Sequence, residues 1–245
     1  MFKHIKEDIM KTIFYPESGR GKSDHGWLKA NFSFSFASFY DPNKTQFGVL
    51  RVLNDDIIEG GMGFGSHPHD NMEIITIPLS GALEHKDSMG NTGVIHAGEV
   101  QVMSAGKGVY HSKFNHSETE AANTLQIWLF PRERNVEPRY DQKSFTGLFK
   151  QNEFTTLVSP QKDGDALWIH QDATFSMGSF DSGQQIDYTV SRAGNGVYLF
   201  VLDGAVKVNE RVLGTKDALG IYEADAFKID VTEGARLLLM DVPMQ

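Results

Sequence analysis

The chain has 245 residues, of which 40% are hydrophobic and 22% charged, and its formal net charge is −9. These values describe a globular protein with a sizeable core, and the acidic balance disfavours direct binding to nucleic acid or to an anionic membrane. The absence of cysteine excludes disulfides, thiolate catalysis and thiolate metal ligands. No apolar run reaches the roughly 18 residues of a transmembrane helix or resembles a signal peptide, so we expect a cytoplasmic protein.

Short apolar or alternating runs predict β-strands along most of the chain, and helical periodicity is scarce. In the first half such runs cover residues 32–39, 47–53, 73–79 and 123–130. A charged segment follows, and we interpret residues 136–155 as a connector between two β-rich parts, 1–135 and 156–245. Strand-like runs then resume, and one of them predicts a hairpin that turns at Asp203-Gly204. The two parts share a similar order of strands and glycine-containing turns, which predicts a duplicated β-barrel.

The histidines of the first part predict a metal site. Residues two apart in a strand point to the same face, so His67 and His69 present both imidazoles to one side. If the strand that holds His111 lies alongside, three neutral imidazoles converge. Imidazole ligands suit iron, nickel, copper or zinc better than magnesium or calcium.

The sequence around these histidines resembles the two cupin motifs. GMGFGSHPHDNMEIITIPLSG is similar to the first motif, with Gly61, His67, His69 and Glu73 at its places, and GEVQVMSAGKGVYHSKFN is similar to the second, with His111 and Asn115. More narrowly, HPHDNMEIITIPLSGALEHKDSMGN and LQIWLFP resemble the pirin family. This resemblance implies an all-β fold of two stacked cupin (jelly-roll) barrels with few helices. It also implies one metal, usually iron, bound by His67, His69 and His111 in the N-terminal barrel, and no metal site in the C-terminal barrel.

Lys113 departs from the family pattern, which has a metal-binding glutamate at this place. A cation beside a divalent ion lowers the affinity for the metal. Three alternatives follow: the three histidines bind the ion with water at open positions, Glu73 supplies the carboxylate, or Lys113 pairs with Glu73 and the site is weakened. Glu73 is also the remaining in-motif candidate for a catalytic base.

The resemblance implies a quercetin 2,3-dioxygenase-like oxidoreductase, whose partners are a small aromatic substrate and O2. The cofactor would be one divalent transition metal, with iron favoured and nickel, copper, zinc or manganese as alternatives. A second hypothesis is a non-enzymatic regulator that senses redox state through its metal and binds a protein partner. A third is a cupin with a weakened metal site. We expect a monomer.

Several other side chains have simpler structural explanations. We expect His85 and Asp87 to stabilise a turn by hydrogen bonds to backbone. The phenylalanine-rich run of residues 32–39 is assigned to the core, with some rings free to line an apolar pocket above the metal, and Trp27 and Trp128 are assigned to packing. The remaining histidines match no ligand motif: His4, His25, His96, His116 and His170.

Overall fold

The computed structural model describes residues 10–162 and 164–245, and these form an almost entirely β-protein. The strands up to the middle of the chain, with one 3-10 turn at Glu17–Gly19, are β1 (Lys11–Tyr15), β2 (Gly21–Asp24), β3 (Leu28–Phe32), β4 (Leu50–Ile58), β5 (Gly63–His69), β6 (Glu73–Ser80), β7 (Ala82–Asp87), β8 (Thr92–His96), β9 (Glu99–Ser104), β10 (Val109–Asn115), β11 (Ala122–Leu129) and β12 (Arg139–Ser144). Those that follow are β13 (Thr155–Ser159), β14 (Leu167–Trp168), β15 (Thr174–Phe180), β16 (Gln185–Thr189), β17 (Asn195–Val208), β18 (Arg211–Leu213), β19 (Ala218–Tyr222) and β20 (Ala226–Pro243).

The strands form three sheets. In the N-terminal half, a seven-stranded sheet in the order β12-β9-β6-β11-β4-β3-β2 lies opposite a four-stranded sheet in the order β5-β10-β7-β8. In the C-terminal half, a nine-stranded sheet runs β1-β19-β17-β20-β15-β13-β14, with β16 on β20 and β18 on β17. The sheets are open at their edges, as in a jelly roll. The predicted all-β fold with two cupin halves is confirmed.

The two faces of the seven-stranded sheet have different roles. Along β6, Ile75 and Ile77 belong to a large core cluster that also contains Phe175, Phe200 and other residues of the C-terminal half. Ile74 packs in a separate cluster inside the N-terminal half. Because alternate residues of a strand point to opposite faces, one face of the sheet joins the two halves and the other lines the interior of the N-terminal half.

Two strands pair outside the half in which the sequence places them. β1 pairs with β19, so that Lys11 lies opposite Tyr222. β12 lies within the predicted connector but pairs with β9 of the N-terminal half. The division into residues 1–135, 136–155 and 156–245 stays a prediction, and β1 and β12 are strands whose pairing crosses it.

The predicted hairpin at Asp203-Gly204 is wrong. β17 continues through these residues, and its register against β20 shifts on both sides of Asp203. Gly204 has a φ of +81°, and an added Cβ there would collide with the carbonyl oxygen of Gly234. The glycine therefore permits a bulge rather than a turn. The chain reverses later, between β17 and β18, where Val208 pairs with Arg211 and Asn209 has a φ of +50°.

Among the described residues, no helix combines the length and the apolar content needed to cross a membrane.

Candidate metal centre and its cavity

The structure brings the three motif histidines together. β5 and β10 are adjacent and antiparallel, and their register places His111 directly opposite His67. His69 lies two residues along β5, and its side chain therefore points to the same face. One ligand atom from each of the three side chains lies within 4.8 Å of the others.

The geometry of the rings suits a transition metal. The Nδ1 of His67 lies 2.8 Å from the carbonyl oxygen of Gly65. A carbonyl only accepts, so this nitrogen carries the proton and Nε2 presents its lone pair. The Nε2 atoms of His67 and His111 face each other at 3.0 Å. Two nitrogens bound at about 2.1 Å to one ion, at a right angle, would be about 3 Å apart.

The surroundings keep the imidazoles of His69 and His111 neutral, as metal ligation requires. Burial, followed by the charge of Lys113, holds the pKa of His111 far below its usual range. Burial, His67 and Lys113 together lower the pKa of His69 to about 4. At neutral pH these two rings therefore offer lone pairs rather than positive charge.

Lys113 turns away from the three nitrogens. The register of β10 against β5 shifts between His111 and Lys113. The ammonium group crosses the interior and donates to Thr76 Oγ1, and to Gln126 Oε1 at 3.1 Å. Burial lowers the pKa of Lys113 to about 7. The alternative in which Lys113 pairs with Glu73 is therefore wrong.

The side chain of Glu73 lies on the face of the seven-stranded sheet that is turned away from the histidines. The expectation that Glu73 joins the metal site or acts as a catalytic base is therefore corrected. Glu73 Oε2 accepts from Ser104 Oγ at 2.8 Å and from the backbone N–H of His170 at 3.2 Å. Burial raises the pKa of this carboxyl to about 7. Glu73 begins β6 on the face that carries Ile75, and its carboxyl group contacts the C-terminal half through the backbone of His170.

The histidine cluster opens into a cavity of about 440 Å³. Its walls are largely aromatic: the rings of Trp128 and His69 are 4.8 Å apart, and Phe64 lies 6.5 Å from His67. The assignment of Trp27 and Trp128 to packing alone is corrected, because both line this cavity. Of the phenylalanine-rich run, Phe32 and Phe34 are buried in the core whereas Phe36 reaches the cavity, as the sequence allowed.

Sequence reasoning missed several polar residues of the interior. Asn54, Asp56 and Thr124 line the same cavity and are buried. The available signal was LRVLNDDII, which places three polar residues in the middle of an otherwise apolar strand. His85 was also missed as a neighbour of the site, since its ring lies 5.4 Å from His111. Its Nε2 contacts Asp87 at 3.1 Å, and Asp87 accepts from the turn as expected, from the backbone of Met89 and Asn91.

The other two motif positions, Asn115 and Gly61, have structural roles. Asn115 donates to the backbone oxygens of Ile58 and Glu120. Gly61 adopts a φ of +68°, which favours glycine. His25, His96, His116 and His170 lie outside the cluster, and His4 lies outside the described residues.

Comparison with known proteins agrees with this architecture. The family model described as Pirin matches residues 15–129, and the one described as Quercetinase C-terminal cupin domain matches residues 156–242. The chain is 42% identical over 224 residues to a quercetin 2,3-dioxygenase of Escherichia coli (strain K12), which covers 91% of this chain and 95% of that protein. The chain belongs to the pirin family. A pirin-like protein of Caulobacter vibrioides is 42% identical over 222 residues, covering 90% of this chain and 95% of its own.

Solved pirin structures share the fold. YhhW from Escherichia coli superposes with a TM-score of 0.90 at 39% identity, covering 95% of this chain and 98% of that chain. A structure of the bacterial pirin YhhW in complex with nickel(II) has a TM-score of 0.89 at 39% identity, covering 95% and 99%. A relative with the same fold therefore holds a transition metal.

Proposed function

We propose that this pirin is a metal-dependent dioxygenase that cleaves a flavonol such as quercetin with O2. The observation that carries the proposal is the three-histidine cluster at the wall of an aromatic cavity of about 440 Å³. This volume lies within the range of small-molecule sites. Relatives at 42% and 41% identity that bear the name quercetin 2,3-dioxygenase support the reaction class.

In this proposal His67, His69 and His111 hold one divalent transition metal, each through one ring nitrogen, which is Nε2 in His67. When bound, such an ion supplies a cationic centre that lowers the pKa of a ligated hydroxyl group. Nickel in a related pirin and iron in the family pattern are both compatible with an all-imidazole set. Among the described residues no carboxylate joins the set, because position 113 is a lysine and Glu73 faces the other half.

The remaining cavity residues bind and orient the flavonol. The rings of Phe36 and Trp128 lie 5.4 Å apart, and those of Trp27 and Phe64 are also 5.4 Å apart. Such walls suit a flat aromatic ligand and exclude water from it. We assign to Lys113 the role of a donor toward an anionic oxygen of the ligand, because its ammonium lies in the same cavity.

The test is the stoichiometry of the reaction. Cleavage of quercetin opens the heterocycle, places both atoms of O2 in the products and releases one ring carbon as carbon monoxide. Purified protein loaded with iron(II) or with nickel(II) should consume oxygen and release carbon monoxide in equal amounts. His69→Ala should abolish both, whereas His170→Ala should retain them, because its side chain lies outside the cluster. Absence of turnover with every loaded metal would reject the proposal.

A further inference from the structure

A second group of polar side chains lies in the cavity, on the sheet opposite the histidine-bearing strands. On β4 and β11, Asp56 pairs with Thr124 and Asn54 pairs with Gln126. Directly paired residues of an antiparallel ladder point to the same face. All four residues therefore project from the seven-stranded sheet into the cavity that the histidines also line.

Three of these four side chains have polar atoms without a partner among residues 10–162 and 164–245. Asn54 Oδ1, Asp56 Oδ1 and Thr124 Oγ1 make no hydrogen bond within the described part of the chain. The residues are only 4%, 6% and 3% exposed. Gln126 differs, because its Oε1 accepts from Lys113 and its amide donates to Ile75 O. Since buried polar groups in proteins are nearly always hydrogen-bonded, the three atoms together indicate a place where a ligand's polar group belongs.

Thr124 and Asp56 lie some distance along the cavity from the three histidines. Trp128 contacts His69, and Thr124 lies four positions before it on the same strand, β11. With about 3.3 Å per residue, Thr124 and Asp56 are about 13 Å along the sheet from Trp128. Between them on the same face lie Gln126 and its partner Asn54, and the Lys113 ammonium donates to Gln126, while Phe36 also lines the cavity. The cavity thus has a histidine-bearing end and a polar wall that runs from Asn54 and Gln126 to Asp56 and Thr124.

We infer that Asn54, Asp56 and Thr124 form a hydroxyl-recognition subsite, which binds a ring hydroxyl of an aromatic ligand whose opposite end reaches the histidines. This inference deepens the proposed function and rests on it for the orientation of the ligand. Carbonyl and carboxylate oxygens accept hydrogen bonds, so hydroxyl groups are the ligand chemistry that matches them. The subsite therefore selects polyhydroxylated aromatic compounds over those with the same metal-binding end and bare rings.

The state of Asp56 agrees with a hydroxyl rather than a cationic ligand. Burial and the neighbouring Asp55 raise the pKa of Asp56 to about 7, against the opposing effect of Arg20. A carboxyl that is substantially protonated at neutral pH both donates to and accepts from a hydroxyl. A site of this kind discriminates strongly against an analogue that lacks the hydroxyl, because its own polar groups then stay unpaired.

The experiment compares the binding of quercetin with that of 3-hydroxyflavone, which keeps the metal-binding end but lacks the other ring hydroxyls. Dissociation constants are measured by fluorescence quenching with the full-length, nickel-loaded protein under anaerobic conditions. We expect wild type to bind quercetin more tightly than 3-hydroxyflavone. In the double variant Asp56→Leu/Thr124→Val the ratio of the two dissociation constants should fall at least about tenfold, whereas the affinity for 3-hydroxyflavone is retained. The control Thr189→Val changes an exposed threonine of β16 and should keep the preference.

Two further measurements separate failure of the subsite from unfolding of the variant and from failure of the dioxygenase proposal. The melting temperature of the double variant without ligand should equal or exceed that of wild type, since the substitution removes unpaired buried polar atoms. An unchanged preference in the folded double variant, or a wild type that binds both compounds equally, would overturn the subsite. Binding with the expected preference but without oxygen consumption in air would instead reject the dioxygenase proposal and leave the subsite in place.

Discussion

Lys113 donates a hydrogen bond to Thr76 on the opposite sheet, although its own strand carries His111 two residues earlier. The side chain thus spans the interior and links the histidine-bearing sheet to Thr76 and Gln126 of the seven-stranded sheet. Its charge still acts on the site, because it lowers the pKa of both His69 and His111. The lysine is thus a cation whose hydrogen bonds are directed away from the histidine nitrogens but whose charge is felt by them.

The first prediction concerns the metal affinity of position 113. Lys113→Glu removes a cation and adds a carboxylate, and should raise nickel(II) affinity at least tenfold, about 1.4 kcal/mol. Lys113→Met removes the charge alone and should give an intermediate affinity. Competition with a chromogenic chelator measures both. Equal affinities in wild type and both variants would show that the charge of the lysine does not reach the site.

The second prediction separates the cluster from the other histidines. Alanine at position 67, 69 or 111 removes one of the three imidazoles, and elemental analysis after metal loading should show occupancy reduced at least tenfold. His116→Ala serves as the control, because His116 is exposed and contacts Glu84 instead. If the three variants retained the metal content of the control, the ion would bind elsewhere.

The third prediction concerns the pH dependence of stability at Glu73. Burial raises the folded-state pKa of this carboxyl from 4.5 to about 7, so the native protein holds the proton more tightly than the unfolded chain does. The free energy of unfolding therefore falls as pH rises from about 4.5 to about 7, by on the order of 3 kcal/mol from this group. Glu73→Gln stays neutral and should lose this slope.

Urea denaturation of wild type and Glu73→Gln at a series of pH values provides the measurement. The stability of the variant relative to wild type should rise through this pH window and then level off. Glu133→Gln is a suitable control, since Glu133 is an exposed glutamate that pairs with Arg132 at the surface. Parallel curves for wild type and Glu73→Gln would contradict the raised pKa.

The fourth prediction concerns a buried link between the two halves. Asp55 forms an ion pair with Lys216 of the C-terminal half at 2.9 Å and lies 3.8 Å from Arg20, which is also buried. Asp55→Ala leaves Arg20 without its carboxylate and should reduce the free energy of unfolding by about 3–5 kcal/mol. In contrast, Glu223→Ala breaks an exposed pair with Lys11 and should leave the denaturation midpoint unchanged. A similar loss in both variants would contradict the importance of burial.

The sequence was sufficient to predict the histidine cluster and the fold class, because both depend on short-range patterns. The alternation within β5 places His67 and His69 on one face, and strand-like runs recur along the whole chain. The position of Glu73 was mispredicted because Glu73 begins a new strand, β6, so that the alternation of β5 does not extend from His69 to it. A turn in which Asn71 has a φ of +44° separates the two strands.

Other features depend on pairings between distant parts of the chain. The hydrogen-bond partners of Lys113 are Thr76 and Gln126 on two other strands, and no local sequence pattern predicts them. The subsite residues Asn54 and Asp56 interrupt an apolar strand, but only the register with β11 adds Thr124 to them. Sequence reasoning therefore located the metal end of the cavity and not its far end.

The pairing of β1 with β19 also has a consequence for biosynthesis. Lys11 and Glu223, which join the ends of these strands, are 212 positions apart. The ribosome synthesises β1 long before β19, so the nascent chain carries β1 without its pairing partner until β19 has emerged. Unpaired edges of this kind promote aggregation, and the emerging polypeptide therefore has reason to depend on chaperones during that interval.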